Sequence, residues 1–101
     1  MDIRQTKSGN DGTLLLVGRF DFNVHREFKE AYIALINDPA IQTIWIDLAG
    51  VDYLDSSALG MLLMLRERVH SANKQVGLRN PNHTVTQILD IANFNKLFTI
   101  S

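Results

Sequence analysis

Apolar positions change their period several times along the chain, and each change marks an element. Asp2 to Lys7 alternates weakly between apolar and polar and predicts an edge strand. Ser8-Gly9-Asn10-Asp11-Gly12 is dense in turn formers and predicts a hairpin. Thr13 to Val17 reads TLLLV, and a continuous apolar run of that length predicts a strand buried on both faces. Asn23 is the expected cap of a first helix, in which Val24, Phe28, Ala31 and Leu35 recur as one stripe. Asn37-Asp38-Pro39 ends it. Ile41 to Leu48, IQTIWIDL, is rich in β-branched and aromatic residues and is the clearest strand. VDYLDSSALG follows from Val51, runs straight into MLLML, and predicts a second helix reaching about Asn73. Gln75 to Leu78 is a short strand and Asn80-Pro81 a turn. Thr84-Val85-Thr86-Gln87 has capping-box spacing, with Val85, Ile88, Leu89 and Ala92 as the stripe behind it. Lys96 to Ile100, KLFTI, is the expected last strand.

The order is therefore β-β-α-β-α-β-α-β. Strands that alternate with helices of this length predict an α/β fold, one mixed and mainly parallel sheet with helices packed on it. Right-handed crossovers make its central strands parallel. Ligands and partners of such sheets meet the edge where strand C-termini turn into helices. Asp21 follows the second strand, and Asp55 and Ser56 follow the third, so both segments are expected at that edge.

Composition narrows the function classes. A chain of 101 residues suggests one domain with a modest core. The net charge is −1, with no basic tract, so nucleic acid is not an expected partner. The absence of cysteine excludes disulfides and thiolate metal sites. The polar start MDIRQTKSGNDG lacks the apolar core of a signal peptide. The longest nearly unbroken apolar run, Ala58 to Leu65, is too short to cross a bilayer. A monomeric cytoplasmic domain without membrane insertion is the expectation.

Asp55-Ser56-Ser57 places an acid and two hydroxyls directly before that run. Either Asp55 or Ser56 can cap the helix, because both side chains accept from the free amides of a first turn. One cap suffices, and here there are three candidates. The helix turns apolar within two residues, so its body is buried while its tip stays wet. A serine there is exposed and rigidly held, and a helix N-terminus tolerates a phosphate.

Catalysis by that serine needs a base within hydrogen-bond reach. His70 lies on the same helix, about 21 Å along it at 1.5 Å per residue, which is too far. His83 sits in a polar turn. His25 could approach the edge from the first helix, but no acid is placed to orient it, and no G-x-S-x-G elbow surrounds Ser56. Asp21, Asp52 and Asp55 could hold a magnesium ion, yet carboxylates near helix starts usually serve as caps. No catalytic residue, metal or cofactor is assigned. Trp45, Met61 and Met64 read as core or half-core residues.

Asp55-Ser56-Ser57-Ala58-Leu59-Gly60 resembles the D-S-[ST]-[GA]-L-G signature of STAS domains, as found in bacterial anti-sigma factor antagonists. Gly18-Arg19-Phe20-Asp21 resembles the family's G-x-[LF]-D segment, and Ile44-Trp45-Ile46-Asp47-Leu48 its strand ending in D-L. Val85-Thr86-Gln87-Ile88-Leu89, with Phe94 and Leu97-Phe98, resembles its late helix and strand. The resemblance implies a partner-switching protein. Its unphosphorylated form would bind an anti-sigma factor that is also a serine kinase of histidine-kinase-like ATPase type, freeing the client. Phosphorylation would fall on Ser56, and a PP2C-type phosphatase would reverse it. Asp21, Asn23, Asp55, Ser57, Ala58 and Gly60 would form the loop that meets the partner. Ala58 stands where glycine is commoner, Asn82-His83-Thr84 carries two extra residues, and the sequence stops at Ser101, short of a last helix that many members have. Family members also serve as accessory subunits of transporters and of a lipid-trafficking complex, which is the alternative reading. A small serine hydrolase is a third, weakened by the missing base.

Overall fold

The computed structural model describes residues 1–101. Its elements follow the order β1 (Asp2–Ser8), β2 (Asp11–Phe20), α1 (His25–Ile36), β3 (Thr43–Leu54), α2 (Ser56–Ser71), β4 (Gln75–Arg79), α3 (His83–Ile91) and β5 (Thr99–Ile100), with 3-10 turns at Phe22–Val24 and Phe94–Lys96. The five strands form one sheet in the order β1-β2-β3-β4-β5. β1 pairs antiparallel with β2, and the other pairs are parallel. The expected α/β architecture is therefore the one observed.

Because each parallel strand is laid down beside the last, in one direction, right-handed crossovers put α1, α2 and α3 on the same face. The sheet has one covered face and one open one. This corrects the reading of TLLLV as buried on both sides. Leu14 and Leu16 are fully buried, while Thr13 and Leu15 are half-buried and Val17 is exposed. On β3, Ile44, Ile46 and Leu48 point inward and Thr43, Trp45 and Asp47 outward. Against the inner row pack Phe28, Tyr32 and Leu35 of α1, Leu62, Leu65 and Val69 of α2, and Val85 and Leu89 of α3. Aromatic edges interlock at the centre: Phe20 meets Phe28 at 5.0 Å between centroids, and Phe28 meets Tyr32 at 5.3 Å.

The open face protects itself. Trp45 lies flat over Gly77 of the neighbouring strand, where any Cβ would fall 2.4 Å from the indole ring. The Arg79 guanidinium lies over the same ring, 4.1 Å from its centroid. The indole Nε1 is shielded beneath it without an acceptor.

Several boundaries differ from the sequence reading. α1 does not start on an Asn23 cap. Asp21 instead accepts from the Asn23 amide at 3.0 Å and starts a 3-10 turn, which runs into α1 with Val24 at the cap position. The third strand extends past Leu48 to Leu54, because β2 continues beside it. α3 is capped by Asn82, whose Oδ1 accepts from Val85 at 2.8 Å, so Thr84 lies inside the first turn. Asn82 wins because its Nδ2 also reaches the Val51 carbonyl, 3.0 Å away, and so ties α3 to β3. The KLFTI strand shrinks to Thr99–Ile100, since Phe94–Lys96 closes into a 3-10 turn that stacks Phe94 on Phe98. Met61 is buried as expected, but Met64 is 53% exposed.

At the far edge of the sheet, α1 passes into β3 through a knot around Asp38. Lys7 binds its carboxylate at 2.5 Å, the Ala40 amide donates to it at 2.9 Å, and Lys74 donates to the carbonyls of Asp38 and Ile41. The Lys7 bond, then the Ala40 amide, hold the Asp38 carboxyl below the usual carboxylate range.

Two outcomes are expected. Leu62→Ala and Leu65→Ala, each fully buried in α2, should cost about 2–5 kcal/mol in denaturant unfolding. A carboxyl whose folded pKa is depressed stabilises the fold above its unfolded pKa, and that contribution fades as pH falls through the folded value. Asp38→Asn should therefore flatten the acid limb of a stability-versus-pH curve below about pH 4 while lowering stability near neutrality.

Candidate functional site

β2 and β3 run side by side to their ends, with Arg19 opposite Tyr53 and Phe20 opposite Leu54. The last link is a bond from the Asp55 amide to the Phe20 carbonyl at 3.4 Å. Asp21 and Ser56 thus each lie one residue beyond that bond, at the same edge of the sheet. The sequence placed them there, and the structure brings them together.

Asp55 and Asp21 each have a structural task at this edge. Asp55 is the N-cap of α2, with extended backbone, and its Oδ1 accepts from the Ala58 amide at 2.9 Å. Asp21 accepts from the Asn23 amide through one oxygen and from Arg19 Nε, at 2.8 Å, through the other. Arg19 in turn lies over the Tyr53 ring at 4.0 Å. Asp52, the third acid of the suggested cation cluster, is exposed on β3, and no group of acids, histidines or cysteines converges to hold a metal ion.

The signature residues divide by exposure. Ser56, the first residue of α2, is exposed, Ser57 is half-buried, and Ala58 is fully buried. Ala58 belongs to the core beneath the loop. Asn23 and Gly60 are exposed. α2 carries Arg68 and His70 in its last turn, where positive charge suits its dipole, and no acid in its first turn, where Asp55 at the cap is the negative group.

The structure engages His25 with apolar neighbours. Its ring stacks on Phe22, 5.6 Å between centroids, and it lines a cleft with Phe28, Lys29, Tyr32, Met61 and Met64. Sequence reasoning missed three residues of the edge: Arg19, Tyr53 and Phe22, the last 67% exposed. Arg19 and Asp21 are two apart on an extended strand, so they share a face, and that spacing was a usable signal. Tyr53 could be paired with Arg19 only once the β2–β3 register was known.

Comparison with known proteins agrees with this geometry. The family model described as "Mlab, STAS domain" matches residues 3–99. The STAS-domain containing protein PA14_20770 of Pseudomonas aeruginosa is 44% identical over 93 residues, covering 92% of this chain and 90% of that one. Among solved structures, the unphosphorylated anti-sigma factor antagonist SpoIIAA superposes with a TM-score of 0.82 at 17% identity, covering 99% of this chain and 88% of that one. SpoIIAA, a Bacillus cell fate determinant, is also matched in its phosphorylated form, with a TM-score of 0.75. The STAS domain of a SulP transporter from Vibrio cholerae superposes with a TM-score of 0.68 at 21% identity, covering 86% of this chain and 70% of that one. A sheet with all its helices on one face, a signature serine at the start of α2, and a family match along nearly the whole chain lead to one conclusion: the protein belongs to the STAS domain family.

Proposed function

We propose that the protein is an anti-sigma factor antagonist of a partner-switching pathway, with Ser56 as its phosphorylation site. The observation that carries this reading is the exposure of Ser56, at a loop whose two flanking acids, Asp21 and Asp55, are already employed. Asp55 holds the helix start and Asp21 holds the turn before α1. Ser56 is left open on a rigid base, while Ser57 is half withdrawn. A kinase needs a hydroxyl it can reach, and a switch needs a site whose charge can change without moving the fold. On this reading the chain is cytoplasmic, needs no cofactor and catalyses nothing. It binds a serine kinase that doubles as anti-sigma factor, and a PP2C-type phosphatase restores it. Asp21, Asn23, Asp55, Ser57, Ala58 and Gly60 shape the surface the kinase meets.

The energetics favour a binding switch over a folding switch. A phosphate adds close to two negative charges at the start of α2. The helix dipole favours them by about 0.3–1 kcal/mol at an exposed site. Asp55 and Asp21 oppose them by a comparable amount, so stability changes little. At a desolvated contact with an anionic nucleotide site, nothing offsets the added charge.

A second reading keeps the surface and drops the modification: an accessory subunit of a transporter or lipid-trafficking complex. It draws on the fold shared with the SulP transporter domain. Affinity purification from the native cell separates the two, since one expects a kinase-like regulator and the other an ATP-binding transporter subunit.

The decisive measurement uses purified protein, with and without phosphate on Ser56, against its cognate kinase. Calorimetry should show a loss of about 2–3 kcal/mol on phosphorylation, roughly thirty- to two-hundredfold in affinity, with little change in melting temperature. Equal affinities would defeat the switch. A collapse of the melting temperature would show that phosphate acts by unfolding the domain.

A further inference from the structure

Two neighbouring side chains on the open face of the sheet hold donors that nothing accepts. The Trp45 indole Nε1 is shut off from water and has no hydrogen-bond partner. Buried donors in folded proteins are nearly always paired, so an orphan one needs a reason. Arg79 lies over the same ring, 4.1 Å from its centroid, and makes no ion pair. The acid directly across from it in the β3–β4 register is Asp47. That carboxylate is already engaged, by the Ala49 amide at 3.0 Å and by Asn80 Nδ2 at 3.2 Å. A guanidinium stacked on a ring keeps its N–H edges free, and their fork matches a planar acceptor with two oxygens.

The fold holds this pair in place. The indole rests on Gly77, where a Cβ would fall 2.4 Å from the ring, so no other residue on β4 would seat it. Thr13 stands across from Trp45 on one side, and Thr99 across from Gly77 on the other. The charges of the face are Arg4, Arg19 and Arg79 against Asp2, Asp11, Asp47 and, at the irregular end of β3, Asp52. Arg4 is bound to Asp2 and Arg19 to Asp21. The face as a whole therefore does not attract anions, and Arg79 is the one cation on it left without an acid. The clefts of the domain lie along α1 and touch neither Trp45 nor Arg79. A free small molecule binds in a concave cavity, so on this flat face an acceptor arrives on a larger surface.

We propose that Trp45 and Arg79 together receive one aspartate or glutamate side chain of a protein that docks on the open face of the sheet. The carboxylate takes the fork of Arg79 and draws the guanidinium off the indole edge, which makes the Trp45 N–H its further donor. A carboxylate fits better than a phosphate, because one cation is uncompensated and Asp47 stands beside it against a second negative charge. Tryptophan and arginine are also the residues on which protein contacts concentrate their binding energy. The site lies on the face turned away from α1, α2 and α3, so it goes beyond the proposed switch and does not depend on it.

Trp45 is the only tryptophan of the chain, so its indole N–H gives a single resonance in the isotopically labelled protein. The probes are a glutamate peptide blocked at both ends, its glutamine counterpart, and inorganic phosphate, all at equal ionic strength. The glutamate peptide should move the indole resonance to a saturating limit, and the other two should leave it in place. Arg79→Gln should weaken the peptide about tenfold while the remaining amide spectrum stays that of the folded domain. Arg79→Lys keeps the charge, loses the fork, and should weaken it nearly as much. Trp45→Phe, followed through the Arg79 side-chain resonance, should weaken it severalfold. Arg4→Gln, on the same face but already paired, should change nothing. An unmoved indole, an equal shift with glutamine or phosphate, or full affinity in Arg79→Gln would each overturn the proposal. No readout involves Ser56 or the kinase, so failure here and failure of the proposed switch are separate results.

Discussion

The parallel pairing of β2 and β3, held to the last residue of each, is the constraint on which the rest depends. It keeps Phe20 opposite Leu54 and closes with the Asp55 amide on the Phe20 carbonyl. From that fixed point the chain leaves in two directions. One branch turns through Asp21 into α1, and the other turns through Asp55 into α2. Both turns are stopped by a carboxylate that accepts a backbone amide. That edge is rigid because two strands and two caps converge on it, and the same contact ties it to the core through Phe20 and Phe28.

The handedness of the crossovers decides the rest of the architecture. With neighbouring strands added in one direction, every helix falls on one face, and the other is left to water. Parallel sheets are seldom left this way, and the chain answers with arginines laid on aromatic rings. Arg79 covers Trp45, and Arg19 covers Tyr53. Arg19 does a second thing, since its Nε also binds Asp21. The open face and the site are thereby joined through one side chain.

α2 then serves two surfaces at once. Its inner side fills the core with Leu62, Leu65 and Val69, and its start presents Ser56 on the wet side of a buried helix. A hydroxyl in that position is held without being enclosed. Negative charge at that position meets two opposed influences, the helix dipole that favours it and the neighbouring acids Asp55 and Asp21 that repel it. The apolar outer side of the same helix, with Leu63 and Met64 exposed, follows that hydroxyl along one element.

By itself the sequence determined the order of strands and helices and the edge at which Asp21 and Ser56 lie, and it narrowed the cap of α2 to Asp55 or Ser56, of which the structure uses Asp55. These are local matters: period, turn formers and capping chemistry act over a few residues. Only the tertiary structure decided that TLLLV is covered on one side, since a strand does not encode where its crossovers pass. It also decided that Asn82 rather than Thr84 caps α3, because Asn82 gains a second bond to β3, and that the third strand runs on to Leu54 beside β2. The exposure of Met64 and Phe22 was likewise hidden, for an apolar residue in a sequence looks the same whether the fold covers it or leaves it out. Arg19 and Tyr53 are thirty-four positions apart and meet only through the β2–β3 register, a long-range choice that no short stretch of either strand contains.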